Sequence, residues 1–153
     1  MSPKRAGGFT LLELMVVIAI VGILSMIAYA NYSRYAYRSR RSEGQQYLLQ
    51  LAAAEERYFT NFNTYSNNIT GGPPGGLNFA ANPVCGGGAF STNCYYSVTA
   101  ATAANGTQYT LTATPAAAQT TDVCGALTLN NNNQKTPAPG VMPQNSNGAC
   151  WQN

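Results

Sequence analysis

The chain has 153 residues, a formal charge of +3, 45% hydrophobic residues and only 8% charged ones, which bounds it to about one modest domain. It contains no histidine, so the commonest general base and the commonest metal ligand are both missing. The few acids outside the apolar segment are scattered, with Glu55 and Glu56 adjacent and expected to be solvated. No catalytic, cofactor or metal site is expected, and an enzyme is not the expected class.

The positive charge is confined to two places. Lys4 and Arg5 lie at the start, and Arg34, Arg38, Arg40 and Arg41 follow an apolar run. From Ser42 onward, Arg57 and Lys135 stand against Glu43, Glu55, Glu56 and Asp122. The bulk of the chain is therefore slightly acidic and poor in charge of either sign.

The chain opens MSPKRAGG and continues FTLLELMVVIAIVGILSMIAYA, in which residues 9–30 carry one charge, Glu13. At ~1.5 Å per residue such a helix is about 33 Å long, enough to cross a hydrocarbon core. An ordinary secretory signal places its small-residue cleavage site after the apolar stretch. Here Gly7-Gly8 comes before it, so cleavage after Gly8 removes a leader, residues 1–8, and keeps the helix in the mature protein. A carboxylate inside a lipid-facing helix costs on the order of 2.5–3.5 kcal/mol on insertion scales, so Glu13 calls for a partner. The new α-amine at Phe9 of a neighbouring copy, shifted along the helix axis, meets that need and sets subunit register.

The run Gly8-Phe9-Thr10-Leu11-Leu12-Glu13, followed by apolar sequence, resembles the class III signal of type IV pilins and type II secretion pseudopilins. The resemblance implies that a prepilin peptidase cuts after Gly8 and N-methylates Phe9. It implies that Glu13 neutralises a neighbour's N-terminus and that the partners are other pilin subunits, met through the N-terminal helix. It also places the protein in the inner membrane with a periplasmic head before assembly, and in the extracellular pilus afterwards. Many family members carry a proline where this chain has Ala30, and the stretch between there and the position of Gly22 often unwinds in assembled pili. Ala30 departs from that pattern.

Helical character is expected to continue over residues 31–61. The stretch EGQQYLLQLAAAEERYF (43–59) is rich in helix formers, and Leu48, Leu51, Ala52, Ala54, Tyr58 and Phe62 recur at three- and four-residue steps. A mature helix from Phe9 to Asn61 is about 80 Å long, its second half packed on a sheet. Arg34, Arg38 and Arg41 fall on one helical side, interleaved with Tyr32, Tyr35 and Tyr37. Two readings stand: contact with lipid headgroups or other subunits, or a solvated face at the membrane boundary.

Residues 62–153 read as loop, antiparallel sheet and a cysteine-bounded tail. GGPPGG (71–76) and GGG (86–88) break any long helix, and without a GK[ST] sequence the glycines make a structural loop rather than a phosphate loop. YYSVTA (95–100) and QYTLTA (108–113) alternate, with Tyr96, Val98 and Ala100 on one face and Tyr109, Leu111 and Ala113 on one face. Asn105-Gly106 supplies the turn between them. ALTL (126–129) is a third strand, and NNNNQKTPAPG (130–140) is expected to hold no regular structure. The fold class is α+β, a long N-terminal helix on a small antiparallel sheet.

Cys85, Cys94, Cys124 and Cys150 are even in number, lie outside the apolar segment and form no CxxC pair, which points to two disulfides in an oxidising compartment. The preferred pairing closes the helix–sheet loop with Cys85–Cys94 and ties the last strand to the tail with Cys124–Cys150; other connectivities stay open. Matches to Asn-x-Ser/Thr at Asn31, Asn68 and Asn105 arise by chance in an Asn/Thr-rich chain, and no glycosylation is assigned.

TLTATP (110–115), Gln119, the run from Asp122 to Leu129 and the terminal Cys150-Trp151 resemble the minor type IV pilins of the PilE/ComP group. That resemblance implies a low-abundance subunit taking part in pilus assembly, in twitching motility and adhesion. Some members of the group are DNA-uptake receptors for natural transformation, which makes DNA the alternative partner; a type II secretion pseudopilin is the other alternative. Electrostatics argue against DNA, because non-specific affinity rests on Lys and Arg at the phosphates and this head has two such residues after Ser42. The four cysteines and the CG-x-LTL…CW pattern favour a pilus over a secretion system.

Overall fold

The computed structural model describes residues 9–143, 146 and 148–151. One helix, α1 (Leu11–Phe62), precedes a four-stranded antiparallel sheet of β1 (Tyr96–Thr102), β2 (Tyr109–Pro115), β3 (Leu127–Asn130) and β4 (Lys135–Thr136), in spatial order β1-β2-β3-β4. Short 3-10 turns lie at Pro83–Cys85 and Ala117–Gln119. The chain divides between Ser33 and Arg34 into two compact units.

In the first unit, the Thr10 hydroxyl accepts the Glu13 backbone N–H at 3.2 Å. Thr10 thus caps the start of α1, satisfying a donor that the helix itself leaves unpaired. The acid at Glu13 falls in the first turn, where the helix dipole favours negative charge. α1 runs without interruption past Gly22 and Ala30. Alanine at the latter position keeps the N–H and avoids the ring clash that make proline break helices.

In the second unit, the buried positions of α1 are Arg41, Gly44, Gln45, Leu48, Leu51, Ala54 and Glu55. Their three- and four-residue spacing makes one continuous stripe. Leu48 and Leu51 enter a core with Tyr96 and Val98 of β1, Leu111 and Ala113 of β2, Leu127 and Leu129 of β3, and Ile69 and Trp151 from the irregular segments. The strands contribute every second residue, as the pleat requires. Helix and sheet approach closely at Gly44, where a Cβ would stand 2.8 Å from the Tyr96 ring. At the β1–β2 turn Gly106 has φ +66°, and the Asn105 side chain accepts the Thr107 N–H at 3.2 Å.

One expectation for the sheet is corrected. Residues 130–140 include β4, whose Lys135 and Thr136 pair with Leu129 and Thr128. Asparagine side chains build the turn: Asn130 Oδ1 accepts the backbone N–H groups of Asn132 at 3.1 Å and Gln134 at 2.9 Å. These side-chain acceptors reinforce a backbone turn, in which the Asn133 N–H donates to the Asn130 carbonyl at 2.9 Å, and bring the chain back on itself. Disulfides join Cys85 to Cys94 and Cys124 to Cys150, with Cα–Cα separations of 5.4 and 5.5 Å.

Candidate functional site

The first unit offers a surface rather than a pocket. Phe9 is 85% exposed, and the apolar side chains from Leu11 to Ile27 are exposed in turn. An isolated stretch of that composition is unstable in water, so it requires lipid or other apolar helices as its solvent. Glu13 is exposed among these residues, the only charge on the stretch. Gly8, the expected cleavage position, lies outside the described residues.

The second unit holds a set of polar clamps along α1. Arg41 meets Asp122 through two bonds, Nε to Oδ2 at 2.7 Å and Nη2 to Oδ1 at 2.9 Å, and its Nη2 also donates to the Ser146 carbonyl at 2.6 Å. Both side chains are buried, 2% and 1% exposed. Gln119 Nε2 donates to Asp122 Oδ2 at 2.7 Å and to the Tyr96 hydroxyl at 3.1 Å. Burial pushes the Tyr96 phenol up. Gln45 Nε2 donates to the Cys150 carbonyl at 2.7 Å, so one face of the helix holds the disulfide-bounded tail at both Ser146 and Cys150.

Two further acids hold the other loops. Glu43 accepts the Asn93 backbone N–H and its side-chain amide, both at 2.8 Å, and thereby docks the Cys85–Cys94 loop. Burial works to raise the Glu43 carboxyl, but hydrogen bonds from Ser91 and Asn93 outweigh it and hold the group below its usual value. Glu55 is 0% exposed and its Oε2 accepts the Ser66 N–H at 3.0 Å. Burial, opposed by that bond and aided by the charge of Glu56, pushes its carboxyl up to about 7.

Two sequence expectations are thereby corrected. Glu55 is not solvated beside Glu56; it continues the buried stripe one heptad beyond Leu48. Arg41 does not belong to an exposed arginine row with Arg34 and Arg38, because it turns inward to Asp122. The spacing held the signal in both cases, since Arg41 and Glu55 each stand seven residues from Leu48. Charged side chains are seldom fully buried unless paired, so spacing alone does not place these two inside.

The sequence comparisons fit this geometry. The model of a prokaryotic N-terminal methylation motif matches residues 3–29. The model described as "Type IV minor pilin ComP, DNA uptake sequence receptor" matches residues 30–128. The chain is a member of the ComP family of type IV minor pilins. Among solved structures, a type IV pilin from Shewanella oneidensis is similar, with 26% identity, 71% of this chain and 99% of that chain covered, and a TM-score of 0.50. A search of curated proteins found no match.

As a minor pilin with a class III signal, the protein is anchored in the inner membrane by its apolar helix before assembly into the pilus. Pilins as a kind are structural, non-enzymatic proteins. The signal implies processing by a prepilin peptidase and association with other pilin subunits. Gln119 and Asp122, two residues that carried the family resemblance, both belong to the buried network: Asp122 pairs with Arg41 and Gln119 donates to Asp122.

Proposed function

We propose that this minor pilin is an assembly subunit of the type IV pilus, supporting twitching motility and adhesion, cut after Gly8 and N-methylated at Phe9. Residues 1–8 are then the removed leader, residues 9–30 the membrane and assembly helix, and residues 31–61 its continuation into the head. Glu13 neutralises the Phe9 amine of a neighbouring subunit and fixes the axial register. The observation that carries this reading is the exposed apolar surface of α1 with a single carboxylate on it. Buried in lipid or among other helices, that carboxylate is costly alone, and the nearest complementary charge of the right kind is a cleaved N-terminus. Deletion of the gene, scored together for piliation, twitching and DNA uptake, tests the reading. Loss of piliation or twitching supports it, whereas loss of DNA uptake with normal piliation and twitching contradicts it.

A second reading, that the head contacts DNA, is favoured by the receptor description of the matching family. Burial also alters the surface charge counted from sequence. Asp122 is spent on Arg41 and Glu55 is internal, while Arg38 and Arg57 are exposed and Arg40 and Lys135 half-buried. Phosphate contacts by such residues give salt-dependent affinity. Arg57→Ala/Lys135→Ala in the full-length chain in detergent should lower retention on duplex DNA if the head binds it. Equal, negligible retention of both forms near physiological salt leaves the assembly role alone.

A further inference from the structure

Glu55 has a use beyond packing. The segment after α1 folds on itself: Leu77 N–H bonds Asn68 O at 2.9 Å, Asn78 N–H bonds Gly71 O at 2.7 Å and Phe79 N–H bonds Ile69 O at 3.0 Å. Its root is Ser66, whose hydroxyl accepts the Asn68 N–H at 3.1 Å and whose own N–H goes to Glu55. The root is thus tied to α1 by a buried carboxylate, and more exposed bonds from the Tyr65 hydroxyl to Glu56 and from the Tyr58 hydroxyl to the Pro74 carbonyl flank it. The other oxygen of Glu55, Oε1, is buried with no hydrogen-bond partner. The titratable groups that face Glu55 are Glu56 on the same helix, Tyr65 at the loop root and Tyr109 on β2. None of them supplies positive charge.

We propose that Glu55 is a proton-operated latch on the 66–79 loop: neutral, it holds the loop root on α1, and ionised, it releases the loop. The neutral acid keeps the bond from Ser66 through its carbonyl oxygen. Ionisation places a full charge where one oxygen has no donor among the described residues and the groups that face it are an acid and two phenols, which is the costly arrangement in a low-dielectric site. Opening the loop root lets water reach the carboxylate and relieves that cost. The loop carries Ile69 into the core and packs Leu77 and Phe79 against it, so the latch governs how much apolar surface the head exposes. This inference concerns the head and does not rest on the assembly role of Glu13.

Hydrogen exchange of the full-length chain in detergent micelles, near pH 5.5 and near pH 8.5 and corrected for intrinsic exchange rates, tests it. Protection of the Ser66, Asn68, Leu77 and Phe79 amides is expected to fall by roughly tenfold or more at the higher pH, with the Leu111 and Leu129 amides unchanged. Glu55→Gln, neutral at both values, is expected to hold the protection of the low-pH state throughout, and Glu56→Gln to keep the pH dependence. Protection that does not change with pH in the native chain, or a pH dependence that survives in Glu55→Gln, overturns the latch. Should Glu55→Gln fail to fold, a carboxyl-carbon NMR titration of Glu55 in the native chain decides: the titration must track loop opening, and a mismatch overturns it.

Discussion

Arg41 and Asp122 form a two-point ion pair inside the head, Nε to Oδ2 at 2.7 Å and Nη2 to Oδ1 at 2.9 Å, between residues 81 positions apart. Removing one partner of such a pair leaves the other charged and unsolvated, at a cost of roughly 3–5 kcal/mol. Arg41→Ala or Asp122→Ala should therefore lower the unfolding midpoint sharply. Arg41→Met/Asp122→Leu, which removes both charges and keeps apolar volume, should recover much of the loss. Thermal unfolding of the four proteins in one detergent checks this; a double variant no better than the single ones refutes the pairing account.

At Gly44 the helix lies close against the sheet, and an added Cβ would stand 2.8 Å from the Tyr96 ring. Alanine is the better helix former, so propensity alone predicts a small gain. Displacing a fully buried aromatic ring outweighs it, and Gly44→Ala is expected to cost about 1–3 kcal/mol. A denaturant midpoint equal to or above that of the native chain would show that the ring yields freely.

The two disulfides close loops of different length, with sequence separations of 9 and 26. In the chain-entropy account the longer loop contributes more, by about 1 kcal/mol. Cys124→Ser/Cys150→Ser should thus be the less stable pair variant, and the tail around Trp151 should be the segment that loosens. Limited proteolysis and unfolding midpoints of the two pair variants test the order.

Stability should pass through a maximum on the acid side of neutrality. Glu43 is held below its usual value, so its contribution is present above about pH 4.5 and is lost as pH falls through its folded value. Glu55 behaves in the opposite sense: with a folded value of about 7 against 4.5, the folded state binds the extra proton between them, and stability falls as pH rises across that window. Glu55→Gln should flatten the neutral limb and leave the acid limb in place. Unfolding midpoints from about pH 4 to pH 8 for the two proteins distinguish the limbs.

Cleavage is tested at the leader. Gly8→Ser, or a bulkier residue, should block processing and leave Lys4 and Arg5 attached to the membrane form. Edman sequencing that begins at Phe9 in that variant contradicts the assigned site.

Much of the fold was legible because it rests on periodicity. The apolar run, the amphipathic stretch through Leu48 and Leu51, the alternating strands around Asn105-Gly106 and the third strand near Leu127 follow from side-chain spacing alone. The polar clamps were not legible in the same way. Arg41, Glu43 and Gln45 face segments distant in sequence and Glu55 faces the irregular chain just past its own helix, and the partners Asp122, Asn93, Cys150 and Ser66 carry no pattern that names them. β4 was hidden for a related reason, since a two-residue strand held by an Asn130 side-chain turn has no period to detect.

The most direct test of the assembly account is Glu13→Ala expressed in place of the native chain, followed by quantification in the sheared pilus fraction and in the membrane. The account predicts a processed variant with Phe9 at its N-terminus that stays in the membrane and is depleted from pili. Recovery of Glu13→Ala from pili at the native level would contradict it.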